Sequence, residues 1–295
     1  MKTKAGFVGL GAMGLPIARN LLAAGFAVRA HNRTVARAAP LVAEGAELAS
    51  SPADTVATDG VVVTMLADDV ALREVVTGKD GIGNKLGRGG VHVSMSTIGP
   101  ATARALAALH AERGTAYVAA PVFGRPEAAA AKKLWVCVSG PTAARTRVRP
   151  LLEAIGQGIH DFGEEPHAAN VVKLAGNFLI MSAMEAIAES QTLGEKHRID
   201  RAQLASFFGE TIFGCPIYQN YGRIIANKVY EPAGFRLALG LKDTNLVLDA
   251  AEEVHVPMPL ASLMRDRFLS GVARGRAGMD WSAIARAVSE EAGLE

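Results

Sequence analysis

Gly9-Leu10-Gly11-Ala12-Met13-Gly14 sets three glycines at i, i+2 and i+5 between an apolar run and a helical period. Residues 5–9 read as a strand and residues 15–24 as a helix. A chain that turns from strand to helix through so short a glycine-rich segment opens a parallel sheet, and each glycine has a use there. Gly9 permits the tight turn, Gly11 lets backbone approach a pyrophosphate, and Gly14 lets the helix pack on the strand. The free N–H groups at the helix start then receive the anion.

The alternation continues. Residues 27–31, 61–65, 91–95 and 117–120 read as strands, and 34–44, 68–76 and 100–113 as helices. A further strand (134–139), helix (143–154) and strand (159–162) complete an α/β domain of Rossmann type. After residue 164 the pattern changes. Residues 168–196 contain no proline and read as one helix of about 28 residues, roughly 40 Å long at 1.5 Å per residue. Segments 201–208, 214–226, 237–253, 260–274 and 281–292 are helical too. The expected domains are 1–164, nucleotide-binding and α/β, and 165–295, all-α. A helix as apolar as 168–196 needs cover on most sides, which a second subunit or a central place in a monomeric bundle would supply.

The end of the second strand selects the nucleotide. Sites for NAD carry an acid about 20 residues beyond the glycines. Here Ala30-His31-Asn32-Arg33-Thr34 follows, and no acidic residue occurs from Ala5 until Glu44. Asn32 can bond a ribose, and Arg33 with Thr34 can hold a 2′-phosphate, with Arg37 one turn on. Arg33 as a solvated loop residue would leave the missing carboxylate unexplained. NADP(H) is the expected cofactor.

In Asn170-Val171-Val172-Lys173-Leu174-Ala175-Gly176-Asn177, the polar residues at i, i+3 and i+7 share one helix face. A lysine buried there has its pKa lowered toward neutrality and suits proton transfer. The alternative is a lysine that snorkels out at the helix start, and the spacing does not separate the two.

Other classes are disfavoured. With 49% hydrophobic and 20% charged residues the chain is an ordinary folded protein, and a net charge of +2 argues against nucleic acid. No 18 residues run without charge, so a membrane span is not expected, and the default compartment is the cytoplasm. Cys137 and Cys215 stand apart and read as reduced, packed thiols. The seven histidines show no HxH or HxxxH spacing, so no metal is expected.

The run from Gly6 to Leu22 resembles the N-terminal signature of the β-hydroxyacid dehydrogenases, which include 3-hydroxyisobutyrate dehydrogenase and the tartronate and glyoxylate/succinic semialdehyde reductases. The resemblance continues in the same order through Met65-Leu66, Ser96-Thr97, Ala120-Pro121-Val122, Lys173 with Asn177, and Lys242-Asp243. It implies that Leu10, Ala12, Met13, Met65, Leu66, Thr97 and Lys242 join the glycines at the cofactor, and that Lys173 is the acid/base. It places Ser96, Val122, Phe123, Gly124, Arg125 and Asn177 around a small carbonyl or hydroxyacid substrate. It also implies a C-terminal domain like that of 6-phosphogluconate dehydrogenase, and a homodimer or homotetramer built through the long helix. The sequence departs from the family after Ala-Pro-Val, where Ser-Gly-Gly is usual and Phe123-Gly124-Arg125 stands here. Imine reductases share the architecture but generally lack the lysine. Decarboxylating sugar-phosphate dehydrogenases carry a longer helical domain. A non-catalytic NADPH sensor would not need the Lys173/Asn177 pair.

Overall fold

A computed structural model describes residues 3–294. The chain divides into two compact units, one ending at Lys173 and the next starting at Leu174. In the first, β1 (Lys4–Val8), α1 (Gly14–Ala23) and β2 (Ala27–His31) are followed by a 3₁₀ turn (Val35–Ala38), α2 (Ala39–Ala43) and β3 (Glu47–Leu48). Then come β4 (Val61–Thr64), α3 (Asp69–Thr77), β5 (Val91–Ser94), α4 (Pro100–Glu112), β6 (Ala116–Ala119), β7 (Val122–Phe123), α5 (Pro126–Ala130), β8 (Leu134–Val138), α6 (Thr142–Glu153) and β9 (Gly156–Asp161). Six strands form one sheet in the order β3-β2-β1-β4-β5-β6, every pair parallel. This is the Rossmann order, with its switch between β1 and β4. Phe7, Val62, Val63, Val93 and Val118 are fully buried, as a sheet covered on both faces requires.

Three local features depart from the sequence reading. The helix expected at 34–44 is broken into a 3₁₀ turn and α2, because Pro40 brings no N–H and stands near the helix start. β3 and β7 are two residues each, too short for alternation to reveal. The last strands make a sheet of their own, β7-β8-β9, tied to the first by reciprocal 3.0 Å N–H···O bonds between Ala119 and Ser139. Of the two thiols expected to be packed, Cys137 is buried but Cys215 is exposed.

The second unit is helical: α7 (Ala168–Lys196, which begins in the first unit), α8 (Arg201–Glu210), α9 (Pro216–Ala226), α10 (Leu237–Glu253), α11 (Pro259–Ala273) and α12 (Ile284–Glu291). Met181, Met184, Ile187 and Ala188 of α7 enter a core with Tyr221, Ile225, Phe268 and Trp281. The Trp281 indole donates to the Tyr221 hydroxyl at 2.8 Å, which satisfies its N–H inside that core. A Cβ at Gly240 would stand 2.6 Å from the Phe268 ring, so α10 needs glycine where α11 crosses it. By length and apolarity α7 could cross a membrane, but half of its most apolar stretch is buried inside the protein.

Beneath the sheet runs a one-way chain of hydrogen bonds. Thr115 Oγ1 donates to the His110 carbonyl at 2.9 Å, so it must accept from His110 Nδ1–H at 2.8 Å. His110 Nε2 is then bare and accepts from His92 Nδ1–H at 3.0 Å, and His92 Nε2 accepts from Thr64 Oγ1–H at 2.9 Å. Both rings are therefore neutral: a proton on His110 Nε2 would set it against the His92 N–H, and one on His92 Nε2 would force the Thr64 hydroxyl to turn from donor to acceptor. Burial drives His92 well below the ordinary 6.5, and burial with the nearby Arg113 charge brings His110 to about 4. Above pH 6.5 folded and unfolded rings are alike. As pH falls from 6.5 toward 4 the unfolded chain takes up protons that the folded one refuses, and stability drops by about 1.4 kcal/mol per pH unit and ring. NMR titration of the histidine rings should show no protonation of His92 or His110 near 6.5, while urea unfolding weakens over that interval. A ring titrating near its ordinary value would contradict the chain.

Candidate active site

The turn from β1 to α1 is shaped by backbone contact. Gly9 has φ +102°, and a Cβ on it would lie 2.3 Å from the Met65 carbonyl oxygen. A Cβ on Gly14 would lie 1.9 Å from the Gly9 carbonyl. The fold itself therefore demands these two glycines. Gly11 differs: among the described residues, nothing beyond its chain neighbours stands within 4 Å of where its Cβ would be. What it clears is space over the start of α1, where no side chain caps the first turn. An open backbone cradle facing uncapped N–H groups fits a pyrophosphate. Ala12 is exposed and Met13 half-buried beside it.

Asn32 is tied into the same turn. Its Oδ1 accepts the Leu10 N–H at 2.8 Å and its Nδ2 donates to the Thr34 carbonyl at 2.9 Å. Expected at the ribose, Asn32 also splices the glycine turn to the end of β2. Arg33, Thr34 and Arg37 are exposed just beyond. Behind β4, the Met65 N–H bonds Val8 and the Leu66 N–H reaches Ser96 Oγ at 2.8 Å. Ser96, expected at the substrate, is fully buried and braces the loops after β4 and β5, while Thr97 is half-buried next to it.

Val122 pairs with Val136 and faces the core. That leaves Phe123 as the prominent side chain of this loop, with Gly124 at φ +137° and Arg125 half-buried at the start of α5. The half-buried Lys173 places its Nζ 4.1 Å from the centroid of the Phe123 ring. An ammonium over a ring face makes a cation–π contact. Burial pushes the nearby Cys137 thiol up, against the pull of the Lys173 charge, so the sulfur stays protonated.

Further along α7, Asn177 is buried and its Nδ2 donates to Asp243 Oδ2 at 2.6 Å. The other carboxylate oxygen of Asp243 lies 2.8 Å from Lys242 Nζ. Asp243 is 1% exposed, although beside Lys242 in the sequence it passes for half of a surface pair. A signal was there to read: 240, 243, 244, 247 and 251 form the buried stripe of α10, and 243 belongs to it.

Such a strand order and such a turn define a dinucleotide-binding fold. Residues 4–171 match the model for the NAD binding domain of 6-phosphogluconate dehydrogenase, and residues 168–288 that for the NAD-binding part of NADP-dependent 3-hydroxyisobutyrate dehydrogenase. The chain belongs to the β-hydroxyacid dehydrogenase family. It is 44% identical over 97% of its length to the uncharacterized oxidoreductase YfjR of Bacillus subtilis, of which 99% is covered. With 2-(hydroxymethyl)glutarate dehydrogenase of Eubacterium barkeri it shares 30% identity over 99% of this chain and 96% of that one. The crystal structure of 3-hydroxyisobutyrate dehydrogenase from Salmonella typhimurium superposes with a TM-score of 0.88 at 27% identity, covering 97% of this chain and all of that one. A Streptomyces aurantiacus imine reductase fits less closely, with a TM-score of 0.67 at 26% identity over 97% and 99% of the two chains. The protein is thus an oxidoreductase that uses a nicotinamide cofactor.

The three glycines should separate under substitution. Gly11→Ala should weaken dinucleotide binding about tenfold or more while leaving the melting temperature nearly unchanged, because its methyl enters only ligand space. Gly14→Ala should instead cost several kcal/mol of stability, since backbone must move. Calorimetric Kd and thermal melts check both, and a Gly11→Ala protein that binds like the parent would contradict the cradle.

Proposed function

We propose that the enzyme transfers hydride between NADP(H) and a small semialdehyde or β-hydroxyacid, with Lys173 as the general acid/base. The observation that carries this is the Lys173 ammonium held over the Phe123 ring, on a helix whose next turn presents Asn177. The nicotinamide, when bound, supplies or accepts the hydride. In reduction, the Lys173 ammonium gives a proton to the carbonyl oxygen as negative charge grows there, and in oxidation the neutral amine takes the hydroxyl proton. Asn177 is oriented for substrate by the bond it spends on Asp243, and Lys242 balances the Asp243 charge. Phe123 keeps water from one side of the ammonium and narrows the pocket where a small hydroxyl would have widened it. Arg125 is the candidate partner for a substrate carboxylate.

For the nucleotide, the lack of any acid between Ala5 and Glu44 and the exposed Arg33 and Thr34 at the end of β2 support NADPH over NADH. The glycine turn with Gly9, Gly11 and Gly14, the loop of Met65 and Leu66, and Thr97 would hold the remainder. Leu179 and Leu193 stay exposed on α7, which supports a homo-oligomer built on that helix. The weaker fit to an imine reductase and the presence of Lys173 favour C=O over C=N reduction.

NADPH oxidation followed by absorbance across glyoxylate, succinic semialdehyde, tartronate semialdehyde, bulkier aldehyde acids and cyclic imines tests the reading. Turnover of an aldehyde acid is expected, and turnover of imines alone would overturn it. Arg33→Asp should shift the ratio of kcat/KM for NADPH and NADH by about tenfold or more toward NADH. An unchanged ratio would remove Arg33 from the 2′-phosphate.

A further inference from the structure

The mechanism above leaves Asn170 without a task. The residue is 1% exposed, and neither Nδ2 nor Oδ1 has a hydrogen-bond partner among the described residues. An amide closed off from water with donor and acceptor both unpaired is a costly thing for a fold to keep. The helix start does not need it: the Ala169 N–H is taken by Ser139 Oγ at 3.0 Å. A leucine of similar size would suit such a position better unless a partner is delivered to the amide.

Its place says where that partner comes from. Asn170 precedes Lys173 by three residues, so the two share a face of α7. Its neighbours Ala169 and Val172 belong to one apolar cluster with Leu66, Ile98, Ala119 and Phe123. Those four residues lie at or just beyond the carboxyl ends of β4, β5 and β6, the end at which an open parallel sheet takes its ligand.

The two unpaired atoms also restrict the chemistry. Oδ1 needs a donor and Nδ2 needs an acceptor. A carbonyl acid offers acceptors only and would leave Oδ1 unpaired, and the one donor of a hydroxyacid is the hydroxyl proton that Lys173 takes. A primary carboxamide offers both, and the nicotinamide ring carries one. We propose that Asn170 binds the carboxamide of the nicotinamide ring, amide to amide, and so orients the ring beside Lys173. The inference rests on the proposed use of a nicotinamide at this site. Because the amide is closed to water, the cofactor reaches it with a local side-chain rearrangement, and both bonds form on binding.

The test uses NADP+ and its 3-acetylpyridine analogue, in which a methyl ketone replaces the carboxamide and the N–H donors are lost. Calorimetric Kd values are measured for the parent, Asn170→Leu and Asn170→Ala, with thermal melts to show that each is folded. The parent should prefer NADP+ about tenfold, and the preference should shrink to about twofold or less in the variants, where no Oδ1 is left unpaired. The same preference in parent and folded variants overturns the assignment, leaving the proposed reaction untouched. A parent that binds neither dinucleotide overturns the proposed function and this inference with it.

Discussion

Between Val8 and Gly14 the chain has to leave a strand, reverse and begin a helix, and a backbone carbonyl lies where a Cβ at either Gly9 or Gly14 would go. That crowding at Met65 and Gly9 brings the start of α1 against the ends of β1 and β4. The neighbouring parts are held to it by single bonds: Asn32 to Leu10, Met65 to Val8, Ser96 to Leu66. The loops that would receive a dinucleotide are thus braced against one another by hydrogen bonds of their own. Thr64, one residue before Met65, is itself anchored through His92 and His110, so the neutral histidine chain supports the same edge of the site from below.

In the proposed reaction the long helix supplies the acid/base, and it is held in a different way. Its first residues pack in the α/β unit, and from Leu174 onward it belongs to the helical one. Asn170, Lys173 and Asn177 recur along one face, and each has a separate physical situation. Asn170 is buried and unpaired, Lys173 is half-buried above an aromatic ring, and Asn177 is spent on a buried carboxylate. The Asn177–Asp243 bond is the rigid member of the three. Breaking it would leave Asp243 buried with only Lys242 to balance it, so both residues are expected to resist change for reasons of stability as well as rate.

Much of this was legible in the residues. The glycine spacing, the strand-helix alternation and the shift to helices after 164 follow from periodicity and turn chemistry, which are local. The β7 strand at Val122–Phe123 and the second sheet were not, because their order depends on pairing with β8, a partner found only on folding. Among site residues, the lysine stripe was visible while its state was not: spacing cannot show that Phe123 sits under the ammonium. Ser96 and Asn32 read as ligand contacts, and spacing could not show that each also bonds backbone of the adjoining loop. Asp243 entered only through the Lys242-Asp243 motif, with no role, because beside a lysine it passes for an exposed residue, although its place on the α10 stripe marks it as buried.

The proposed reaction depends on Lys173 as the proton donor, and chemical rescue probes that role. Lys173→Ala is assayed for NADPH-dependent reduction of the best aldehyde acid, without and with added methylammonium or ethylammonium. The rate should fall by about 10²- to 10⁴-fold and rise again with the concentration of the amine, which enters the vacated volume and supplies the proton. A variant as fast as the parent without amine would show that the proton comes from elsewhere, and would contradict the assignment.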